Sequence, residues 1–563
     1  MKKTDTKDVG DIDALTDASF LSEEDQQGLL DMTSTWDRGS TRRMSLTALE
    51  DEDTHKSTKY SGRINIWPGL FLLIILSLVS IALVTYYGNE TYRSVLDLNR
   101  GQMLKRAEKR RIDDGTTGGE EDEGHIEDIE DLIEEDGTVG NPSEYPANTC
   151  ILPNYLSRGG QLVVQDKTSG TETPIFIKGI NWFGMETGHN IPFGLWDNFQ
   201  NGTTAYEIAA FLARNKFNSV RLPISVTGVL TNAAPDRRLI NMKTNRAIPS
   251  DTYFGMIKGI VRALAFRRIT VLISIHTLTA TDNGPLWYSD QVPLSDVYKA
   301  YDLLTEELCK DDYWNILGLD LKNEPHQGTW GDNSATDFRK GASDLGRRML
   351  KGCPNWLAFV EGINTAHEVN IDGESISYFD WWGAGLQLAH EKPVDVGTAD
   401  KIVYAPHYYN PSVYPQAYMY GTGGTSSGSG MIRNYVELDD ATLKARVVGT
   451  ATDAFGYLAE VQDAAIIMGE FGGIYERDAH PEFTSQRVVD DMIALMKTKG
   501  FAGGYVWSLN PEGAFEFNPA DKIGFFTEGI LKDNWQEVNK AYLFALRVLD
   551  DMDDLQKFPC IEK

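Results

Sequence analysis

What most limits the fold of this chain is a recurrence. Short apolar strands stand at 177–182, 219–223, 271–276, 317–323, 357–361, 402–407, 466–470 and 504–508, with stretches of helical period between them. The intervening segments 204–215, 251–268, 295–309, 334–350 and 484–499 carry apolar residues three and four apart and often open on Ser, Thr or Asp, as capped amphipathic helices do. Strand and helix alternating eight times predict a (β/α)8 TIM barrel of the α/β class. An open doubly wound sheet would usually carry a glycine-rich phosphate loop after its first strand, and Gly179-Ile180-Asn181-Trp182 is not one. A hairpin of 162–165 and 175–178 is expected to lead into the first barrel strand.

Before the barrel the chain changes character twice. Residues 66–87 form an uncharged apolar run bordered by Trp67, Tyr86 and Tyr87, long enough to cross the roughly 30 Å hydrocarbon layer as a helix. The run follows a polar segment, 1–65, so it reads as a transmembrane signal anchor rather than a cleaved signal peptide. Residues 1–65 are then a disordered cytoplasmic tail, 88–149 a charged, mostly acidic stalk, and 150–563 the barrel. Lys and Arg flank the run on both sides and do not set its direction. The glycosylation sequons at Asn89 and Asn201 and all four cysteines lie on its C-terminal side. These predict a single-pass type II membrane protein with an extracellular or luminal barrel.

Charge and motif content narrow the chemistry. A formal charge of −29, with the only basic cluster (105–111) beside an acidic run, excludes nucleic acid as a partner. No His-Glu-x-x-His occurs and the cysteines lack close pairs, so neither a metal nor a cofactor is expected. The cysteines read equally as disulfides or free thiols at this point.

The strand ends carry the candidate chemistry. The fourth strand stops on Asn323-Glu324-Pro325, where proline prevents continuation and leaves an acid at the carboxyl end. Strand two carries Arg221, strand three His276, strand six His407 with Tyr409 beyond, strand seven Glu470 and strand eight Trp507. A barrel brings all of these to one face. Two carboxylates flanked by Arg, His, Tyr and Trp suit glycoside hydrolysis, one acid giving a proton and the other attacking. Arg221 is expected to lower the pKa of Glu470, leaving Glu324 to hold its proton longer. Trp507 offers an apolar plate to a pyranose ring, and Trp182, Trp287, Trp330, Trp381 and Trp382 are expected to extend such plates along a groove.

The order of Gly179-Ile180-Asn181-Trp182-Phe183-Gly184-Met185-Glu186-Thr187, Val220-Arg221-Leu222-Pro223, Leu286-Trp287-Tyr288, Asn323-Glu324-Pro325-His326, His407-Tyr408-Tyr409, Gly469-Glu470-Phe471-Gly472 and Gly529-Ile530-Leu531-Lys532-Asp533-Asn534-Trp535 resembles glycoside hydrolase family 5, the endoglucanase-type cellulases, over about residues 150–550. The resemblance implies a retaining double displacement, with Glu324 as acid/base and Glu470 as nucleophile. It also implies that Asn323 holds the sugar 2-hydroxyl, that Arg221 and Tyr409 orient Glu470, and that His276 and His407 line the cleaved-bond subsites. Phe193 stands where similar sequences often have His, and His276 lacks the basic and acidic neighbours common there, so the sugar chain is less defined. The flexible segment 421–430 is a surface loop or a lid.

The expectation is therefore a monomeric endo-glycosidase acting on cellulose-like β-1,4-glucan. Mannan, xyloglucan or β-1,3-glucan hydrolysis and wall-remodelling transglycosylation are the catalytic alternatives. A non-catalytic carbohydrate-binding receptor would need a missing acid, and both acids are present. Pairing of Cys150 with Cys560 would clamp the barrel's ends, and pairing of Cys309 with Cys353 would join the helices after strands three and four.

Overall fold

A computed structural model describes residues 142–563 apart from 199–200, 422–424 and 427–429. The expected tail, anchor helix, Asn89 sequon and most of the stalk and of the 421–430 loop lie outside the described residues. Among the described residues no helix is long and apolar enough to cross a membrane.

Eight parallel strand positions close into a barrel: Ile177–Asn181, Ser219–Ser225, Thr270–Thr277, Ile316–Asp320, Leu357–Val360, Ile402–Tyr404 resuming as His407–Tyr409, Ala465–Gly472 and Phe501–Trp507. Neighbours in sequence pair in space, and the last strand pairs back onto the first. Their near-continuous apolar runs are buried on both faces, as helices outside and side chains inside require. Strand six breaks at Ala405-Pro406 because proline cannot donate to a ladder. Its upper half resumes with His407 directly opposite Glu470, which sets two site residues at one level.

The helices Ala205–Arg214, Tyr253–Ala265, Phe338–Gly352, Asp440–Ala451 and Lys540–Leu546 start on Thr204, Thr252, Asp337, Asp439 and Asn539, whose side chains accept backbone N–H groups of the first turn. Leu294–Leu308 and Thr484–Met496 complete the ring without a side-chain cap. Strand five departs from the expected strand-helix alternation. It is followed by an antiparallel hairpin, Ala366–Ile371 with Glu374–Phe379. The reason is local: the segment alternates with period two around Asp372-Gly373, and both residues take the positive φ (52° and 87°) that a tight hairpin turn needs.

The expected entry hairpin is a three-stranded sheet, Asn154–Arg158, Gln161–Gln165 and Glu172–Ile175. It seals the amino end of the barrel with a second apolar cluster containing Tyr155, Leu162, Ile175, Leu317, Val403 and Phe558. Contacts of the barrel domain reach back before residue 150: Tyr145 packs on Phe266 at 5.7 Å, and Asn148 Nδ2 donates to the Asp311 carbonyl at 2.6 Å. Cys150 is bonded to Cys560 and Cys309 to Cys353, closing sequence separations of 410 and 44 residues. The first ties both ends of the domain together, and the long loop it closes makes its effect on the unfolded chain large. Replacing Cys150 and Cys560 by Ser is expected to lower stability by about 2–5 kcal/mol. Denaturant midpoints of the two proteins check this, and an unchanged midpoint would show that noncovalent contacts alone hold the ends.

Candidate active site

The carboxyl end of the barrel is built around a guanidinium. Arg221, fully buried on strand two, donates through Nε and Nη2 to Asp320 Oδ2 at 3.0 and 2.6 Å, and through Nη2 to Asn323 Oδ1 at 2.8 Å and Glu361 Oε1 at 3.2 Å. Nη1 donates to Asn181 Oδ1 at 2.9 Å and to Glu470 Oε1. Five groups on strands one, four, five and seven thus converge on one planar fork, a use for which Arg is suited and Lys is not.

Glu470 accepts from Arg221 on one oxygen and from the Tyr409 hydroxyl on the other. His407 bridges the acids: Nδ1 lies 3.0 Å from Glu324 Oε1 and 3.5 Å from Glu470 Oε2. Its Nε2 lies 3.1 Å from Glu361 Oε1, but the angle does not make a hydrogen bond. Glu324 adopts a left-handed φ of 49°, strained for a residue with a side chain, and its N–H is held by Glu361 Oε2 at 2.7 Å. That bond turns the backbone at the strand end so that the Glu324 carboxyl meets His407. Side-chain exposure separates the acids, at 20% for Glu324 and 4% for Glu470.

Buried charge explains the protonation pattern. One guanidinium cannot neutralise Asp320, Glu361 and Glu470 together. Burial first, and then Asp320, push Glu361 up to about 8. Burial opposes the charging of His407, but Glu361 and Glu470 outweigh it and raise its pKa. Glu470 departs from the expected direction: burial is the largest influence and raises its pKa, although His407 and Arg221 pull it down. Arg221 alone was expected to hold it low, and the sequence did not show how completely the barrel removes water there. His276 is pushed well below the usual imidazole range by burial and by Arg221, so it stays neutral.

Two aromatic shelves flank the acids. Trp507 stacks between Phe183 (5.4 Å) and His276 (5.8 Å), all partly exposed. Trp382 stacks on His326 at 3.8 Å, beside Glu324. Other expected plates are core. Trp182 is fully buried and donates to the Phe193 carbonyl, Trp287 packs on Phe338, and Trp330 donates to the Lys392 carbonyl. Trp381 is buried against Tyr408 and Tyr409. None of these four presents a ring face to a ligand, because the indole N–H groups of Trp182 and Trp330 and the neighbouring rings fix them inside the loops. Asn201 is partly buried and accepts from Trp196 Nε1 at 3.1 Å.

Asp320, Glu361 and Asn181 were not singled out by sequence reading, though Glu361 ends strand five as Glu324 follows strand four. Donor atoms of Glu324, His407 and Glu470 all lie within 4.8 Å of one another, a separation that also suits a cation. Arg221 and a protonated His407 already bring positive charge to that spot, so the donor set is satisfied internally. The arrangement provides one tied, buried carboxylate and one accessible carboxyl linked through an imidazole, which is equipment for acid-base and nucleophilic work on a bond between them.

Comparison with known proteins agrees in kind. The family model described as cellulase (glycosyl hydrolase family 5) matches residues 168–513. An endoglucanase of Paenibacillus polymyxa is 27% identical over 398 residues, covering 70% of this chain and 86% of that protein. The major extracellular endoglucanase of Xanthomonas campestris is 29% identical over 378 residues, covering 66% and 67%. Among solved structures, a Pyrococcus horikoshii endocellulase in complex with cellotetraose superimposes with a TM-score of 0.57 at 27% identity, covering 71% of this chain and 99% of that one.

The buried charges set a pH dependence. The folded state keeps the Glu361 proton up to about pH 8, whereas the unfolded carboxyl, of ordinary value 4.5, has lost it. The native state therefore binds more protons across that window, and stability falls as pH rises through it; His407 acts in the same direction. Glu361→Gln is expected to flatten the fall by up to roughly 1 kcal/mol per pH unit. Denaturant unfolding from pH 5 to 8 checks this, and parallel profiles for the two proteins would contradict it.

Proposed function

The chain belongs to glycosyl hydrolase family 5 and is a hydrolase of O-glycosyl bonds, and we propose that it cuts cellulose-like β-1,4-glucan internally by a retaining double displacement. Glu470 attacks the anomeric carbon while Glu324 protonates the departing glycosidic oxygen. The resulting glycosyl ester removes the negative charge of Glu470, and Glu324 is left as a carboxylate facing the ester. Glu324 then takes a proton from the water that cleaves the ester. The same pair of residues serves both halves.

The observation that carries this reading is spacing. Oxygens of Glu324 and Glu470 approach within 4.8 Å, with His407 between them. An inverting enzyme separates its carboxyl groups by about 6.5–9.5 Å to admit water, whereas direct attack needs about 5–5.5 Å. Asn323 supports the assignment: Arg221 donates to its Oδ1 at 2.8 Å, which fixes the amide and leaves its NH2 as the donor that would serve a sugar hydroxyl. The endoglucanase relatives and the cellotetraose bound by the Pyrococcus enzyme support a β-1,4-glucan with several units engaged. Trp507 and Trp382 would carry those units.

We place the barrel outside the cytoplasm on a single-pass anchor. Support comes from the apolar run at 66–87 and from the bonding of every cysteine, which an oxidising compartment favours.

Leaving-group chemistry tests the roles. Glu324→Ala is expected to lose about 10²–10⁴-fold on an unactivated cello-oligosaccharide, yet to release the phenol of a dinitrophenyl cellobioside in a fast first turnover, because that leaving group needs no proton. Glu470→Ala is expected to lose both activities. A Glu470 variant with wild-type turnover, or no activity of the full-length chain on any β-glucan, would overturn the reading.

A further inference from the structure

Just beyond strand four the chain runs out of backbone partners. Leu321 N–H donates to the Phe359 carbonyl at 3.0 Å and Asn323 N–H to the Ile275 carbonyl at 3.0 Å, so strands five and three hold the chain in turn up to that residue. Among the described residues the next peptide, Asn323–Glu324, meets no backbone group on either side. Side chains take both of its polar atoms. Glu361 Oε2 accepts the Glu324 N–H at 2.7 Å, and Lys322 Nζ donates to the Asn323 carbonyl. The same ammonium reaches the His276 carbonyl on strand three at 3.3 Å.

These two grips oppose any turning of the peptide. A carboxyl oxygen faces its N–H and an ammonium faces its carbonyl. Turned over, the plane would set its carbonyl against the carboxyl oxygen and its N–H against the cation, which is repulsive on both sides where water is excluded. Such a hold is needed, because the left-handed φ of Glu324, 49°, costs a residue with a side chain energy and has to be imposed. Lys322 is itself an expensive choice for the place. It is 1% exposed and, among the described residues, makes no direct ion pair. A methionine would fill nearly the same length without stripping a charge of water. Burial pulls the pKa of Lys322 down to about 8, while Glu361, Glu324 and Asp320 attract its charge from farther off, so it is an ammonium below neutral pH.

We propose that Lys322 is a positioning residue for proton donation: by holding the Asn323 carbonyl it fixes the peptide that aims the Glu324 carboxyl at the departing glycosidic oxygen. The inference rests on the proposed function, since it takes Glu324 as the acid. Lys322 acts through the backbone of that acid and on no reacting atom. A brace between strands three and four, made through the His276 carbonyl alone, would instead support the whole site and treat every substrate alike.

Leaving-group dependence separates the two roles. In Lys322→Met, assayed as the full-length chain below neutral pH, kcat on an unactivated cello-oligosaccharide is expected to fall roughly 10- to 100-fold with little change in KM, because a misplaced acid slows bond cleavage. First-turnover release of dinitrophenol from the cellobioside, which needs no proton, should stay within about threefold of the unsubstituted chain. Lys322→Gln, polar and uncharged, is a second variant for the same comparison, and melting curves report whether each is folded. Equal losses on both substrates, or no loss on either, overturn the inference. Failure of both variants to fold also overturns it, since Lys322 is then a brace. Glu324→Ala, run in parallel, keeps the two readings apart. If it discriminates between the leaving groups and the Lys322 variants do not, this inference alone fails; if it does not discriminate, the acid/base assignment fails and takes the inference with it.

Discussion

A single positive charge inside a barrel is the constraint on which the rest depends. Arg221 has no access to water, so its charge is sustained by the carboxylates of Asp320 and Glu470 and by the oxygens of Glu361, Asn181 and Asn323 that accept from it. Removing one member of such a cluster leaves an uncompensated buried charge, which is why these clusters are stiff even where their net stabilisation is small. Five strand-end groups share one guanidinium, and their geometry is therefore fixed before any substrate arrives. Preorganisation of this kind spares the reaction the cost of turning dipoles as charge develops.

From that centre the asymmetry of the two acids follows. Glu470 is tied on both oxygens, by Arg221 and Tyr409, and is almost closed to solvent. Glu324 sits one step outward, on a backbone turn that Glu361 holds in a strained conformation, and its carboxyl meets the cluster through His407. The excess negative charge of the cluster does not vanish. It appears as a retained proton on Glu361 and a raised affinity of His407 for its own. Both keep the centre near neutrality while leaving Glu470 a full set of donors.

How much of this was legible in the sequence depended on whether the signal was local. The strands were readable because burial on both faces leaves unbroken apolar runs, and the helices because Thr204, Thr252 and Asp337 announce them. Site candidates such as Arg221, Glu324, His407 and Glu470 followed from lying at strand ends, which a barrel gathers on one face. Glu361 had the same signal and was passed over, since a lone Glu at a strand end is common. Burial was not legible: Trp182 closes the first expected strand and Trp287 and Trp330 stand in loop-like sequence, yet their partners Phe193, Phe338 and Lys392 are supplied by tertiary packing. The hairpin after strand five carries an Asp372-Gly373 turn and period-two residues, a cue that the expectation of strict alternation overrode.

The central claim is that the Arg221 cluster makes Glu470 the nucleophile. A 2-deoxy-2-fluoro-cellobioside with a dinitrophenyl leaving group slows breakdown of any ester formed, so mass spectrometry of the intact chain and its peptides locates the attachment directly. The account predicts one fluorocellobiosyl adduct, on the peptide containing Glu470, with Glu324 unlabelled. An adduct on Glu324, or turnover of the compound with no adduct at all, would contradict it.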